Sequence, residues 1–79
     1  MTLTYDPTHN IGYLKLREGT AQVDTIRVSD ELNIDIAHDG TVYGIEFLNA
    51  NQQLAGGPTH ALTIINEALG TSTLVKLSA

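Results

Sequence analysis

The dipeptide Asp39-Gly40, set between two runs of alternating apolar residues, constrains the fold of this chain more than any other feature. Asp-Gly is a strong signal for a two-residue β-hairpin turn, because both turn positions favour positive φ. Such a turn pairs the apolar side chains of the two strands: Leu32 with Phe47, Ile34 with Ile45, and Ile36 with Tyr43. A three-residue loop would instead shift the pairing by one residue and set Leu32 against Glu46.

The same register determines which side chains lie on the opposite face of the hairpin. Glu46 is expected opposite Asn33 and diagonal to Asp35, about 7–8 Å away at the backbone. Gly44 is expected opposite Asp35, where it leaves a notch with no side chain. Two carboxylates at this separation suit an acid/base pair or a hard cation, so Asp35 and Glu46 are the candidate metal ligands. The plainer interpretation, which we favour, is a solvated acidic strand face.

Alternating or β-rich runs predict strands over residues 1–5, 11–18, 22–28, 32–37, 41–48 and 73–77. The polar, glycine-bearing segment after residue 48 indicates a loop. Pro58 as a first helical residue and Gly70 as a stop predict one short helix between them. An apolar stripe at helical spacing supports it: Leu62, Ile65 and Leu69. The predicted fold is therefore α+β, an antiparallel β-meander of about five strands with one short C-terminal helix and a final short strand.

A length of 79 residues predicts a single domain over residues 1–79, with a β core over 1–50 and an extension over 51–79. A chain this short buries only about 60% of the surface that its unfolded form exposes, so its stability margin is small. The chain has no cysteine, which excludes disulfides and thiolate metal sites and suits a reducing cytoplasm. Self-association is the expected source of additional stability.

The net charge of −5 argues against binding to nucleic acid or to an anionic membrane. The four basic residues are scattered along the sequence: Lys15, Arg17, Arg27 and Lys76. Residues 1–6 lack the basic and apolar regions of a signal peptide, and no apolar run approaches the length of about 20 residues that a membrane helix needs. We therefore expect a soluble, cytoplasmic protein.

Part of the chain resembles a known family. The resemblance begins at Tyr5-Asp6-Pro7, continues through Gly12-Tyr13-Leu14-Lys15-Leu16, and is most specific over the hairpin from Asp35 to Ala50. These motifs are similar to those of the short prokaryotic proteins grouped as domain of unknown function 2283, over about residues 5–50. The chain departs from the family pattern at Asn10-Ile11-Gly12, at Ala37-His38 and at Asn49. The resemblance implies a β-rich fold in a bacterial protein and leaves the function open. Because some relatives lie beside small toxin-like genes, an antitoxin or partner-binding role is one alternative.

No arrangement of residues typical of catalysis is evident, so the sequence favours a non-enzymatic interaction or structural module that forms a homo-oligomer. One alternative is an antitoxin-like binder of a small basic protein, which the negative charge suits. Another is a weak cation-binding or acid-dependent site at Asp35 and Glu46. No cofactor is expected.

Overall fold

The computed structural model describes residues 1–54 and 61–77 of the chain. Within that part it contains seven β-strands and one helix of a single turn. The elements, in chain order, are β1 (Thr2–Asp6), β2 (Ile11–Lys15), β3 (Val23–Ser29), β4 (Leu32–Ala37), β5 (Val42–Leu48), α1 (Ala50–Gln53), β6 (Ala61–Asn66) and β7 (Thr71–Lys76).

The first five strands form one antiparallel sheet in the order β1-β2-β5-β4-β3. After β2 the chain crosses to the far edge of the sheet, and β3, β4 and β5 return as a meander until β5 pairs with β2. The five strands predicted within residues 1–48 are confirmed, with small shifts at their ends. The antiparallel β-rich fold is therefore confirmed. The predicted five-strand meander holds only for β3, β4 and β5, because β5 lies at the centre of the sheet, between β2 and β4.

The β4–β5 hairpin keeps the predicted pairing over most of its length. Leu32 lies opposite Phe47, and Ile34 lies opposite Ile45. These pairs place the apolar side chains of both strands on one face, as the alternation of the sequence requires.

The turn of this hairpin differs from the prediction. The Gly40 N–H donates to the Ala37 carbonyl and the Ala37 N–H donates to the Thr41 carbonyl, both at 2.9 Å, which encloses a three-residue loop. Gly40 has a φ of 90°, but Asp39 has no positive φ, and its carboxylate accepts a hydrogen bond from the Thr41 N–H at 2.9 Å. A two-residue turn of the favoured type needs positive φ at both positions, so the loop takes the three-residue form with glycine last.

A β-bulge at Tyr43 cancels the shift that the longer loop introduces. Ile36 pairs with Val42 and Asp35 pairs with Gly44, so Tyr43 has no partner on β4. The predicted pair of Ile36 with Tyr43 is therefore wrong. One extra residue in the loop and one extra residue in β5 offset each other. The predicted pairing is therefore restored from the Asp35–Gly44 pair to the end of the hairpin away from the turn.

The predicted C-terminal helix is also wrong. Residues 61–66 and 71–76 form the antiparallel pair β6–β7, here called the C-terminal hairpin. Its β-branched run Thr63-Ile64-Ile65 favours extended backbone, and Gly70, with a φ of 65°, closes the turn. The helical spacing of the apolar stripe was coincidental, and the predicted helix start at Pro58 lies outside the described residues.

The helix of the structure lies instead in the segment expected to be a loop. α1 is a single turn, and the chain after it places Leu54 over Gly12 of β2. A methyl group on Gly12 would lie 2.8 Å from Leu54 Cδ1 and 3.4 Å from Ala50 Cβ. Gly12 therefore allows the helix to approach the sheet closely.

Side chains on one face of the sheet are mainly hydrophobic, and this surface is here called the apolar face. Its hydrophobic members are Leu3, Tyr5, Leu14, Ile26, Leu32, Ile34, Ile36, Ile45 and Phe47. Asp24, opposite Ile36 on the edge strand β3, adds one charged residue to this face. In the described part of the chain the buried residues are Gly12, Gly44 and Ala50, none of which has a side chain larger than a methyl group. The apolar face is thus only partly covered within one chain.

Candidate functional site

The opposite surface of the sheet, here called the polar face, collects hydrogen-bonding side chains from four neighbouring strands. Register places Thr25 opposite Asp35 and Asp35 opposite Gly44, and it places Asn33 opposite Glu46 and Glu46 opposite Tyr13. Residues that are directly opposite in an antiparallel sheet share a face, so these side chains form one cluster.

Asp35 is the centre of this cluster. Its two carboxylate oxygens each accept a hydrogen bond of 2.7 Å, one from the Tyr13 hydroxyl and one from the Thr25 hydroxyl. These donors come from β2 and β3, which lie on either side of the β4–β5 pair. The Asp35 carboxylate therefore links β2, β3 and β4 across the polar face, and its bond to Tyr13 crosses β5.

Gly44 is the residue that allows Tyr13 to reach Asp35. A Cβ atom at Gly44 would lie 2.1 Å from the Tyr13 hydroxyl oxygen and 2.4 Å from Cζ. Real Cβ contacts are never this short, so the Tyr13 ring occupies the space that a side chain on Gly44 would take. The notch predicted beside Asp35 exists, but the Tyr13 ring fills it.

The hydrogen bond to Asp35 raises the pKa of the Tyr13 phenol to about 12. Burial of the ring and the negative charges of Asp35 and Glu46 act in the same direction. A carboxylate acceptor favours the neutral, donating form of a phenol, so Tyr13 is a hydrogen-bond donor over the whole physiological pH range.

Glu46 has its own partner on the polar face. Its carboxylate accepts a hydrogen bond of 2.9 Å from the Asn33 side-chain amide. The structure thus places Asp35 and Glu46 on the same face, with neutral donors bonded to both carboxylates. Among residues 1–54 and 61–77, no three His, Asp or Glu side chains come together as a metal site. A cation site at Asp35 and Glu46 stays a prediction.

A shallow groove of about 200 Å³ lies beside this cluster. Its lining includes Tyr13, Tyr43, Lys15 and Arg17. Two of the four basic residues, expected to be scattered, are therefore near each other, and the bulge at Tyr43 directs its side chain to this groove instead of toward Ile36. The period-2 spacing of Tyr13, Lys15 and Arg17 is the sequence signal that indicates a shared face.

Sequence reasoning missed a second polar cluster, at the start of α1. The Asn10 side chain accepts a hydrogen bond from the Asn51 N–H at 2.8 Å and donates to Asn51 Oδ1 at 2.8 Å and to Asn49 Oδ1 at 3.3 Å. The Asn10 carbonyl also accepts a bond of 3.0 Å from the Ala50 N–H. Asn10 thereby satisfies the first N–H groups of the helix, which the Asn49 side chain at the N-cap does not do.

Asn10 and Asn49 both have positive φ, of 56° and 53°. Asparagine tolerates this left-handed conformation better than most residues other than glycine. An asparagine at a turn beside a strand is the sequence signal that could have indicated this cluster.

A known protein family matches the part of the chain that forms the five-stranded sheet. A family model described as "Protein of unknown function (DUF2283)" matches residues 2–51, more than half of the 79-residue chain. The chain belongs to this family. The DUF2283 match contains all five strands of the sheet and ends inside α1, whereas the C-terminal hairpin lies outside it. No curated protein and no solved structure matches the chain.

In the portion of the chain that the structure describes, no helix has the length and the apolar character needed to cross a bilayer.

Proposed function

We propose that this chain is a non-enzymatic interaction module that self-associates through the apolar face of its sheet. One observation carries the proposal: the buried residues among 1–54 and 61–77 are two glycines and one alanine. A single sheet with one hydrophobic face needs a second layer to cover that face. A second copy of the chain supplies that layer at no cost in sequence length.

The surface area of the chain supports the same proposal. A compact monomer of 8.5 kDa is expected to expose roughly 4,600 Å². This chain exposes 5848 Å², an excess of roughly 1,200 Å² over that expectation. A stable interface buries about 800 Å² on each partner. The excess is therefore large enough to form an interface between copies.

The proposal also includes a cytoplasmic location and the expectation that no cofactor is needed. The absence of cysteine suits a reducing bacterial cytoplasm, and the net charge of −5 suits a soluble protein. Neither feature calls for a cofactor.

Light scattering coupled to size-exclusion chromatography tests self-association. We expect the wild-type chain to elute as a dimer or larger species at micromolar concentration. Ile26→Lys adds a charge to the exposed edge of the apolar face and should shift the species toward monomer. Thr4→Lys adds the same charge at an exposed position of the other edge strand, opposite Tyr13 on the polar face, and should leave the oligomer intact. A wild-type chain that elutes only as a monomer at micromolar concentration would refute the proposal.

A second candidate is an antitoxin-like interaction with a small basic protein, which the net charge of −5 favours. Such a complex would weaken steeply with added salt, because opposite charges attract at its interface. Co-expression with the product of an adjacent gene, followed by chromatography at low and high salt, tests this candidate. Recovery of the chain without the basic protein at low salt would contradict it.

A further inference from the structure

The C-terminal hairpin is an exposed apolar element. Two strands alone are at best marginally stable in water, so such a hairpin requires a surface to pack on. Apart from Ala61, every residue of β6 and β7 is exposed. Because the hairpin lies outside the family match, it is an addition to the DUF2283 sheet and has its own packing requirement.

The two faces of the C-terminal hairpin differ. One face carries Leu62, Ile64 and Val75, with Leu62 directly opposite Val75. Their exposed fractions are 48%, 52% and 42%. The other face carries Ile65 and Leu74, which are 66% and 59% exposed and lie opposite Ser72 and Thr63. The first face is the more continuous hydrophobic surface and is the better candidate for packing.

The charges of the chain distinguish the hairpin from the sheet. Residues 1–54 contain eight acidic and three basic residues, which gives them the whole net charge of −5. The C-terminal hairpin contains one acid and one base, Glu67 and Lys76, and is neutral. Direct packing of two sheets would bring two negatively charged regions together, and these would repel each other. A neutral hairpin adds no such repulsion to the sheet that it covers.

We propose that the C-terminal hairpin of one copy packs its Leu62–Ile64–Val75 face on the apolar face of a second copy. This inference rests on the proposed self-association and names the element that occupies the interface. A two-fold symmetric pair gives each sheet one hairpin and each hairpin one sheet, so both exposed surfaces are covered by one reciprocal contact. The layers then stack about 10 Å apart, as packed sheets do.

Cross-linking tests the exchange directly, because the cysteine-free chain allows single cysteines to be introduced. One preparation carries Ile34→Cys at the centre of the apolar face, and an isotope-labelled preparation carries Ile64→Cys on the hairpin. The two are mixed, allowed to exchange subunits, and treated with a short bismaleimide. We expect a cross-linked product that contains one labelled and one unlabelled chain. Ile65→Cys, on the opposite hairpin face, is the matched control and should give little of this product.

The possible outcomes separate the two proposals. Products formed only between two Ile34→Cys chains would show sheet-to-sheet packing, which overturns the exchange and keeps self-association. An internal cross-link in a chain with both cysteines, without covalent dimers, would show that the hairpin covers its own sheet and would also overturn the exchange. A wild-type monomer in light scattering would overturn both.

A second measurement does not depend on cross-linking. Ile64→Lys should weaken dimerisation by at least about tenfold, because it places a charge in the centre of the interface. Ile65→Lys should change the dissociation constant by less than about threefold. Equal effects of the two substitutions would contradict the proposed orientation of the hairpin.

Discussion

At the scale of single residues, the polar face depends on Gly44. The absence of a side chain there lets the Tyr13 ring cross β5 and donate to Asp35 at 2.7 Å. Thr25 satisfies the second carboxylate oxygen from the other side. Tyr13, Asp35 and Thr25, on three different strands, are thus joined by hydrogen bonds, and Gly44 leaves the space that the Tyr13 ring occupies.

Gly44→Ala should destabilise the chain by about 1–3 kcal/mol, because its methyl group forces the Tyr13 ring away from Asp35. In a Tyr13→Val background the same substitution should cost at least about 1 kcal/mol less, since the obstacle has been removed. Urea unfolding of the four proteins in this double-mutant cycle measures the difference. Additive effects would show that the ring does not occupy the Gly44 notch.

The Tyr13 phenol should ionise near the pKa of about 12. Because this pKa is raised above the unfolded value of about 10, the associated stability is present below pH 10 and is lost as pH rises through 12. Ultraviolet titration of the phenolate, compared with Tyr13→Phe, isolates this group. Asp35→Asn should move its pKa back toward 10, and an unchanged titration would argue against the hydrogen bond to Asp35.

At the scale of elements, α1 is too short to be stable alone and depends on the preceding turn. Isolated helices shorter than about 12 residues are marginal in water. The Asn10 side chain holds the first turn, and Gly12 allows Leu54 to pack over β2. The helix is therefore a consequence of the sheet.

Asn10→Gly keeps the left-handed backbone but removes the side-chain bonds to Asn49 and Asn51. We expect it to cost about 1–2 kcal/mol. Asn10→Ala removes the same bonds and also strains the backbone, so it should cost about 1 kcal/mol more. Denaturant unfolding at one fixed protein concentration measures both variants. Equal costs would mean that the positive φ at Asn10 contributes nothing.

At the scale of the whole molecule, the decisive feature is a sheet whose hydrophobic face is only half covered. The excess surface of roughly 1,200 Å² and the exposed C-terminal hairpin occur in the same chain. Under the proposed self-association these surfaces are covered by a contact between molecules, which makes protein concentration a determinant of stability.

Salt should strengthen self-association. Each chain carries a charge of −5, and a hydrophobic interface between two such chains is opposed by their repulsion. Raising ionic strength from about 0.05 to about 0.5 M screens that repulsion, so the dissociation constant should fall. Sedimentation equilibrium at several salt concentrations measures it. A rise in the dissociation constant would indicate an interface made of ion pairs.

The sequence by itself determined the five strands of the sheet and the faces of β4. Period-2 alternation states which side chains of a strand lie together, and the pairs Leu32–Phe47 and Ile34–Ile45 follow from it. The common face of Asp35 and Glu46 follows in the same way. Local pattern is sufficient here because a register error would move every hydrophobic side chain into water.

Only the tertiary structure decided the turn, the bulge and the C-terminal segment. Asp39-Gly40 is compatible with two loop lengths, and the choice depends on whether a bulge at Tyr43 can restore the register. Residues 61–70 carry an apolar spacing that fits either a helix or a strand, and pairing with β7 selected the strand. The Tyr13–Asp35 bond joins residues 22 positions apart, so no local pattern could have predicted it.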